Sequence, residues 1–257
     1  MEDKYPWLIR KVKQITGIDL ESYKRPQMER RINSFINVRG MRTYEECVRE
    51  LTENEDFRRK FIDHLTINVS EFFRNPSQWK VLADEVVPLL LKERGRIKAW
   101  SAGCSTGEEP YTLAMLLMEI APGRFDNIMA TDIDKQVLAK AQAGVYGSRS
   151  VSGLTPAQIK KYFNQQNETY TIKDEVKRNV TYKQHDLLKD PFPGSCDLIL
   201  CRNVVIYFTE EAKTVLYERF YQSLRRGGVL FIGSTEQIFQ AREIGLQSLA
   251  TFFYQKL

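Results

Sequence analysis

The clearest candidate for a ligand site is a loop of small residues that contains Gly103 and Gly107. A short apolar run precedes the loop, and a helical pattern that opens with Glu108 and Glu109 follows it. Ligands of open parallel sheets bind at the carboxyl ends of the strands, where glycines let the backbone approach closely. A phosphate at a helix start requires exposed N–H groups and basic side chains. Two carboxylates there favour instead a ligand with hydroxyls or positive charge, such as a ribose in a cationic cofactor.

Three further polar residues follow apolar runs. Asp132 ends the run 128–131, at the distance from the glycine loop where a dinucleotide-binding fold keeps the carboxylate that binds ribose hydroxyls. Asp186 follows a run that ends at His185, and Asn203 follows the run 198–202. Successive strands would bring these groups to one sheet edge, where an adenine ring finds hydrogen bonds. Because GxGxxG and GxxxxGK[ST] are both absent, the arrangement best matches S-adenosylmethionine.

The elements that must position these residues follow from periodicity. The first quarter of the chain is predicted to be all helical, with helices at 5–16, 25–39, 43–51 and 55–67. After a helix from Pro76 to about Arg94, strands at 96–101, 126–132, 196–201 and 228–233 alternate with helices at 108–121, 134–143 and 209–225, before an apolar run at 249–256. This alternation predicts an α/β fold with a parallel, doubly wound sheet.

The segment 146–185 interrupts the alternation. A short helix is predicted from Thr155 to near Phe163, and the segments 170–172 and 180–182 alternate polar and apolar residues like two strands. The chain is therefore predicted to have a helical domain at 1–75 and an α/β domain at 76–257. The second domain would carry a small β insertion at about 164–184.

Composition excludes several classes of protein. With 42% hydrophobic residues in 257 the chain can bury a full core, and no apolar run approaches the roughly 20 residues of a membrane span. The start of the sequence lacks a signal-peptide pattern, so we expect a cytoplasmic protein without membrane insertion. The cysteines show no metal-ligand spacing, which predicts reduced thiols and no metal site at Cys47, Cys104, Cys196 and Cys201.

Positive charge is concentrated between Lys24 and Arg42, a stretch that includes the second predicted helix. Against the single carboxylate Glu29, this stretch carries Lys24, Arg25, Arg30, Arg31, Arg39 and Arg42. The pattern allows a solvated helix face or a docking surface for an acidic macromolecule. Nucleic acid is not favoured, because the stretch has little of the aromatic interleaving on which bases stack.

Four segments together resemble the motifs of CheR, a family of chemotaxis receptor methyltransferases. They read LTINVSEFFR at 65–74, SAGCSTGEEPY at 101–111, ATDID at 130–134 and CRNVVIYF at 201–208, and the resemblance extends over essentially the whole chain. It implies a class I methyltransferase fold behind a helical N-terminal domain. It also implies methyl transfer from S-adenosylmethionine to glutamate side chains in the cytoplasmic helices of chemoreceptors, which yields methyl esters and S-adenosylhomocysteine.

The resemblance also implies which residues bind the cofactor: Asn68, Ser70, Arg74, Gly103, Glu108, Asp132, Asp186, Leu187, Asn203 and Val204. Asp132 would accept hydrogen bonds from both ribose hydroxyls, and Asp186 would accept one from the adenine amino group. Leu187 and Val204 would enclose the ring, and Glu108 would lie near the methionine ammonium. Ser70 and Asp186 stand where the family usually has threonine and asparagine, and both keep an oxygen acceptor.

The implied chemistry needs no general base, because a glutamate carboxylate is already ionised at pH 7. Alignment of carboxylate oxygen, methyl and sulfur should dominate catalysis. Arg74 and Tyr207 are the candidate catalytic residues: Arg74 could hold one carboxylate oxygen, and Tyr207 could donate from its hydroxyl near the methyl. The sequence leaves open which of the two touches the substrate.

The same resemblance assigns a partner to the basic helix. Receptor methylation regions are acidic helices, so Arg30, Arg31 and Arg39 are predicted to dock them. Some family members hold a receptor C-terminal pentapeptide through a glycine-rich loop, but the connection 173–179 contains no glycine. We therefore expect a monomer that recognises the methylation region without the pentapeptide.

Two other functions stay open. A cofactor-binding sensor without transfer activity has no need for Arg74 and Tyr207 beside the cofactor residues. A methyltransferase of nucleic acids or small molecules usually carries an Asn/Asp-Pro-Pro-Tyr type motif where this chain reads RNVV at 202–205.

Overall fold

A computed structural model describes residues 3–66 and 70–257. Contacts divide the chain into two units, Met1–Asn68 with Tyr207–Thr214 and Val69–Ile206 with Val215–Leu257. Each unit has its own hydrophobic core, and we call them the helical unit and the α/β unit.

The helical unit contains the four helices that the sequence predicted: α1 (Tyr5–Thr16), α2 (Arg25–Val38), α3 (Tyr44–Glu53) and α4 (Glu55–Leu65). The side chains of Thr43 and Asn54 cap α3 and α4 by accepting from backbone N–H groups of the first turn. Phe35 lies at the centre of the core, with edge-to-face contacts at 5.2 Å to both Phe57 and Phe61. These contacts join α2 to α4.

The remaining helices are α5 (Pro76–Val81), α6 (Val87–Arg94), α7 (Glu108–Ile120), α8 (Lys135–Ala143), α9 (Pro156–Tyr162), α10 (Asp174–Lys177) and α11 (Glu210–Ser223). A π-helical turn, Leu82–Val86, makes α5 and α6 continuous. Every residue of α7 from Pro110 to Leu117 is buried, and its charged residues lie at the two ends, Glu108 and Glu109 at the start and Glu119 near the end. A helix that is apolar on all faces belongs in the interior of its unit.

The strands are β1 (Ala99–Ala102), β2 (Ile128–Asp132), β3 (Val145–Gly147), β4 (Phe163–Gln166), β5 (Thr169–Ile172), β6 (Val180–Gln184), β7 (Cys196–Cys201), β8 (Leu224–Ile232), β9 (Leu246–Ala250) and β10 (Phe253–Lys256). Seven of them form a sheet in the order β6-β2-β1-β7-β8-β10-β9. The first five strands of that order are parallel, and β10 pairs antiparallel with both of its neighbours, β8 and β9. The predicted α/β architecture of the class I methyltransferase type is confirmed.

The content of the β insertion differs from the prediction. The small sheet consists of β3, β5 and β4, whereas β6 is an edge strand of the large sheet and pairs with β2 from Ile128↔Val180 to Asp132↔Gln184. The assignment of 180–182 to the insertion was therefore wrong. A period-2 pattern identifies a strand with one buried face but carries no information about its partner.

The boundary between the units also differs from the predicted domain end at residue 75. Phe72 is buried in the α/β core, with its ring 4.9 Å from that of Tyr146 and 5.2 Å from that of Phe163. The backbone N–H of Phe73 donates to the Thr112 hydroxyl at 3.2 Å. The segment with Ser70 and Arg74 consequently belongs to the α/β unit.

Candidate functional site

The carboxyl ends of four adjacent strands form one edge of the large sheet. The register of β6, β2, β1 and β7 aligns Gln184 with Asp132, Thr131 with Ala102, and Ser101 with Leu200. Gly103, Asp132, Asp186 and Asn203 lie at or just beyond these strand ends. The structure thus brings together the polar residues that the sequence predicted to share an edge.

At Gly103, the loop after β1 contacts the loop after β7. Its φ is +78°, and its N–H donates to the Thr131 carbonyl at 2.8 Å. A Cβ at this position would lie 2.5 Å from Cγ2 of Val204, closer than any real contact. Only glycine allows these two loops, both predicted to bind the cofactor, to touch.

Gly107 ends the same loop beneath two tyrosines. Its φ is +94°, and a Cβ would lie 2.7 Å from the Tyr182 hydroxyl and 3.1 Å from the Tyr146 hydroxyl. The Tyr146 hydroxyl also donates to the carbonyl of Thr106 at 2.8 Å. Sequence reasoning missed both tyrosines, because they come from strands β3 and β6, far along the chain.

Asp132 has the geometry of a hydroxyl acceptor. Its Oδ2 accepts from the Ser105 N–H at 2.9 Å, and its Oδ1 accepts from the Asp134 N–H at 3.0 Å. A carboxylate offers about four lone-pair positions, so each oxygen can accept a further hydrogen bond from a ribose hydroxyl. Burial raises the pKa of Asp132 to about 6, although both N–H donors oppose this shift.

Glu108 is only 2% exposed at the amino terminus of α7. Its Oε2 accepts from the Thr106 hydroxyl at 2.6 Å and its Oε1 from the Ser150 hydroxyl at 3.2 Å. The helix dipole stabilises a negative charge at this end of a helix. The hydrogen-bond partners of Glu108 are hydroxyls, which carry no positive charge, so the side chain suits the ammonium group that it is predicted to face.

Asp186 and Leu187 follow β6 directly beside Asp132. The N–H of His185 donates to the Asp132 carbonyl at 2.9 Å, and Asp186 Oδ1 accepts from the Leu188 N–H at 2.9 Å. The Leu187 side chain is buried, and Arg219 donates to its carbonyl. Their roles towards adenine stay predictions.

Arg202 links the end of β7 to the segment that carries Arg74. Its Nη2 donates to the Arg74 carbonyl at 2.7 Å and to Gln78 Oε1 at 3.1 Å, while Nη1 lies 3.5 Å from Glu109 Oε2. The guanidinium is buried over the ring of Phe231, 4.6 Å from its centroid. Sequence reasoning missed this role, although Arg202 stands inside the fourth motif.

Burial shifts the pKa values of both members of the ion pair between Arg202 and Glu109. Burial lowers the pKa of Arg202, Glu109 raises it again, and the nearby positive charge of Arg74 lowers it. Burial raises the pKa of Glu109, and Arg202 opposes that rise. Glu109 also accepts from the Ser101 hydroxyl at 2.8 Å, so the pair connects β1, α7, β7 and the Arg74 segment.

The other predicted site residues of the first motif are described only in part. Arg74 and Ser70 are half-buried in the α/β unit, and the Trp79 indole N–H donates to the Arg74 carbonyl at 3.0 Å. Asn68 lies outside the described residues.

Tyr207 ends a 3₁₀ turn, Val205–Tyr207, and is grouped with the helical unit. Its carbonyl accepts from the Lys24 N–H at 2.9 Å. Burial lowers the pKa of Arg31, and the proximity of Tyr207 opposes that change. The Tyr207 side chain therefore lies near α2, and its catalytic role stays a prediction.

The three arginines predicted to dock a partner are not equivalent. Arg30 and Arg39 are exposed, with the Arg39 guanidinium 3.5 Å from the centroid of the Phe35 ring. Arg31 is half-buried and donates to the carbonyls of His64 and Thr66 at the end of α4. Its guanidinium satisfies carbonyls at the end of a neighbouring helix, and the docking role of Arg31 stays a prediction.

Comparison with known families shows to which family the chain with this sheet edge belongs. The family described as "CheR methyltransferase, SAM binding domain" matches residues 68–251, and "CheR methyltransferase, all-alpha domain" matches residues 3–66. The chain belongs to the CheR methyltransferase family. It is an S-adenosylmethionine-dependent methyltransferase, and the hydrogen-bond acceptors at the sheet edge fit that cofactor.

Two relatives from Listeria agree with the family. Proteins named "Chemotaxis protein methyltransferase" from Listeria innocua and Listeria monocytogenes are each 43% identical over 257 residues, which cover 100% of this chain and 98% of the relative. A TehB-like methyltransferase from Corynebacterium glutamicum has a TM-score of 0.40 and 16% identity, over 71% of this chain and 96% of its own. Within residues 3–66 and 70–257, no helix has the length and apolarity needed to span a membrane.

Gly107→Ala should weaken cofactor binding, because its Cβ would displace the Tyr182 hydroxyl or the loop itself. We expect the Kd of S-adenosylhomocysteine to rise by about tenfold or more in calorimetry. Gly123→Ala is the matched control, since its φ is +69° but nothing lies within 4 Å of the added methyl. Equal Kd values for the two variants would contradict a cofactor role for the loop.

Cofactor affinity should fall in mild acid. The ionised carboxylate of Asp132 accepts from ribose hydroxyls, and protonation as the pH drops through about 6 removes acceptor capacity. We expect the Kd of S-adenosylhomocysteine to rise by up to about tenfold per pH unit below that value. Asp132→Asn should bind weakly with a flatter pH profile in the same titration; a flat profile for the wild type would contradict the assignment.

Proposed function

We propose that this protein methylates glutamate side chains in the cytoplasmic helices of chemoreceptors, and that it acts in the cytoplasm. The observation that carries the proposal is the hydrogen bond of 2.7 Å from Arg202 to the Arg74 carbonyl. It fixes the Arg74 segment at the carboxyl end of β7, the strand that precedes Asn203. The guanidinium of Arg74, which would lie beside the cofactor, would complement a carboxylate substrate. The names of the Listeria relatives support the link to chemotaxis.

S-adenosylmethionine supplies an electrophilic methyl group when bound. The protein's part is to orient the acceptor, because the carboxylate of a glutamate is already a nucleophile at neutral pH. Arg74 would hold one carboxylate oxygen and leave the other in line with the methyl. Tyr207 would donate a hydrogen bond near the same point. Such alignment contributes on the order of 7 to 11 kcal/mol in well-oriented reactions.

The exposed part of α2 is the proposed contact for the receptor. Arg25 is paired with Asp3 and Glu29, at 2.7 and 2.9 Å, so its charge is compensated within the chain. Arg30 on the same helix and Arg39 directly after it are exposed residues, and the Arg39 guanidinium packs on the ring of Phe35. Acidic receptor helices would meet these two residues, which would raise the rate of encounter more than the rate of transfer.

We also propose that receptors are recognised without a C-terminal pentapeptide. The sequence places the connection between the two strands of the insertion at 173–179. In the structure, the turn between β4 and β5 consists of Asn167 and Glu168. Asn167 supplies the left-handed residue of that turn with φ of +52°, and no glycine is present. Both the expected and the observed connection therefore lack the glycine-rich loop.

The reaction product tests the proposed acceptor. The enzyme is incubated with methyl-labelled S-adenosylmethionine and receptor cytoplasmic fragments, and alkali then releases volatile label. Labelled methanol is expected, because a glutamate methyl ester hydrolyses in base. A receptor fragment with its methylation-site glutamates changed to glutamine is the matched control and should yield none. Label that survives alkali would contradict a carboxyl ester.

Charge reversal tests the docking surface. Arg30→Glu and Arg39→Glu should each raise the KM for the receptor fragment by about fivefold or more at low salt, through weaker electrostatic attraction. Arg49→Glu, which makes the same change at an exposed position of α3, is the control. The Kd of S-adenosylhomocysteine should be unaffected in all three. An equal effect of Arg49→Glu would contradict a localised surface.

A further inference from the structure

We infer that Glu236 is a positioning residue of the cofactor site, which shapes the segment 203–205 into a wall against Gly103. The inference rests on the proposed assignment of Asn203 and Val204 to the cofactor. Glu236 lies outside the four motifs, in the loop that follows β8, and is 4% exposed.

The Glu236 carboxylate accepts four backbone N–H groups. Its Oε1 accepts from Val204 at 2.9 Å and from Val205 at 3.0 Å. Its Oε2 accepts from Asn203 at 3.0 Å and from Gly233 at 2.6 Å. Both oxygens are thus saturated by backbone donors of two loops, one after β7 and one after β8.

This arrangement explains how the segment after β7 keeps an uncommon shape. Asn203 has φ of +59°, in the left-handed region, and the N–H groups of three successive residues converge on a single point. Convergent N–H groups form a concave anion site, and they stay this close together only when an acceptor binds between them. The carboxylate of Glu236 is that acceptor.

Close backbone contact is a second, independent feature of the same place. A Cβ at Gly233 would lie 2.7 Å from the Asn203 nitrogen, and a Cβ at Gly103 would lie 2.5 Å from Val204. The segment 203–205 therefore lies between Gly103 and Gly233, and neither side leaves space for its backbone to shift. A change at Glu236 would move Val204, which is predicted to contact adenine, relative to Gly103.

The charged form is what the site requires. Burial raises the pKa of Glu236, while the four N–H donors lower it. The negative charge also acts on the buried Arg202. Glutamine is a poor substitute, because its NH₂ group would face two N–H donors on whichever side it occupied.

Glu236→Gln is the direct test, with the Kd of S-adenosylhomocysteine measured by calorimetry and the KM for S-adenosylmethionine and for receptor measured separately. We expect both cofactor constants to rise by about tenfold or more. The KM for receptor should stay within about twofold, a separation that general destabilisation would not produce. Gly233→Ala removes no charge but pushes on Asn203, and it should shift the same constants in the same direction.

Asp197→Asn is the matched control. This buried carboxylate, near the amino end of β7, accepts from the Lys98 N–H at 2.8 Å and from Arg225. The variant should lower the Tm and leave the Kd of S-adenosylhomocysteine within about twofold of wild type.

The outcomes separate the inference from the site on which it rests. Unchanged cofactor constants in Glu236→Gln or Gly233→Ala, or an equal loss of affinity in Asp197→Asn, would overturn the inference alone. A wild-type protein that binds no S-adenosylhomocysteine would overturn the proposed site and the inference together.

Discussion

The parallel pairing of β6, β2, β1 and β7 is the constraint on which the rest of the site depends. Parallel strands end in the same direction, so the residues after each strand meet at one edge although they are far apart in sequence. β1 pairs with β2 from Trp100↔Met129 to Ala102↔Thr131 and with β7 at Ser101↔Leu200. This register determines where Gly103, Asp132 and Asn203 lie along the edge of the sheet. A shift by one residue would turn each side chain to the other face of the sheet.

Close approach of backbone and side chains then shapes the edge. Gly103 and Gly107 admit Val204 and Tyr182 at distances that a Cβ would forbid. The loop after β1 is consequently enclosed on one side by the loop after β7 and on the other by tyrosines of the small sheet and of β6. Rigid loops suit an enzyme that accelerates its reaction by alignment, since small displacements of the reacting groups are costly.

Buried charges give the edge its remaining stability and its chemistry. Arg202 is paired with Glu109, and Glu236 is saturated by backbone N–H groups, so the charge of each ion is compensated inside the unit, although Nε of Arg202 has no hydrogen-bond partner. Asp132 differs, because its two N–H donors leave room for further donors and burial raises its pKa. The groups that hold the site together are thus distinct from those prepared for a ligand.

The sequence by itself determined the four helices of the first quarter, the alternation of strands and helices, and the polar residues at strand ends. These features depend on local periodicity and on residue type directly after an apolar run. Only the tertiary structure decided that β6 joins the large sheet, that Arg31 binds the end of α4, and that Glu236 and Arg202 hold the segments carrying Val204 and Arg74. Each of these outcomes is a pairing between residues distant along the chain, and neither spacing nor composition encodes which distant group a strand edge, a guanidinium or a carboxylate will meet.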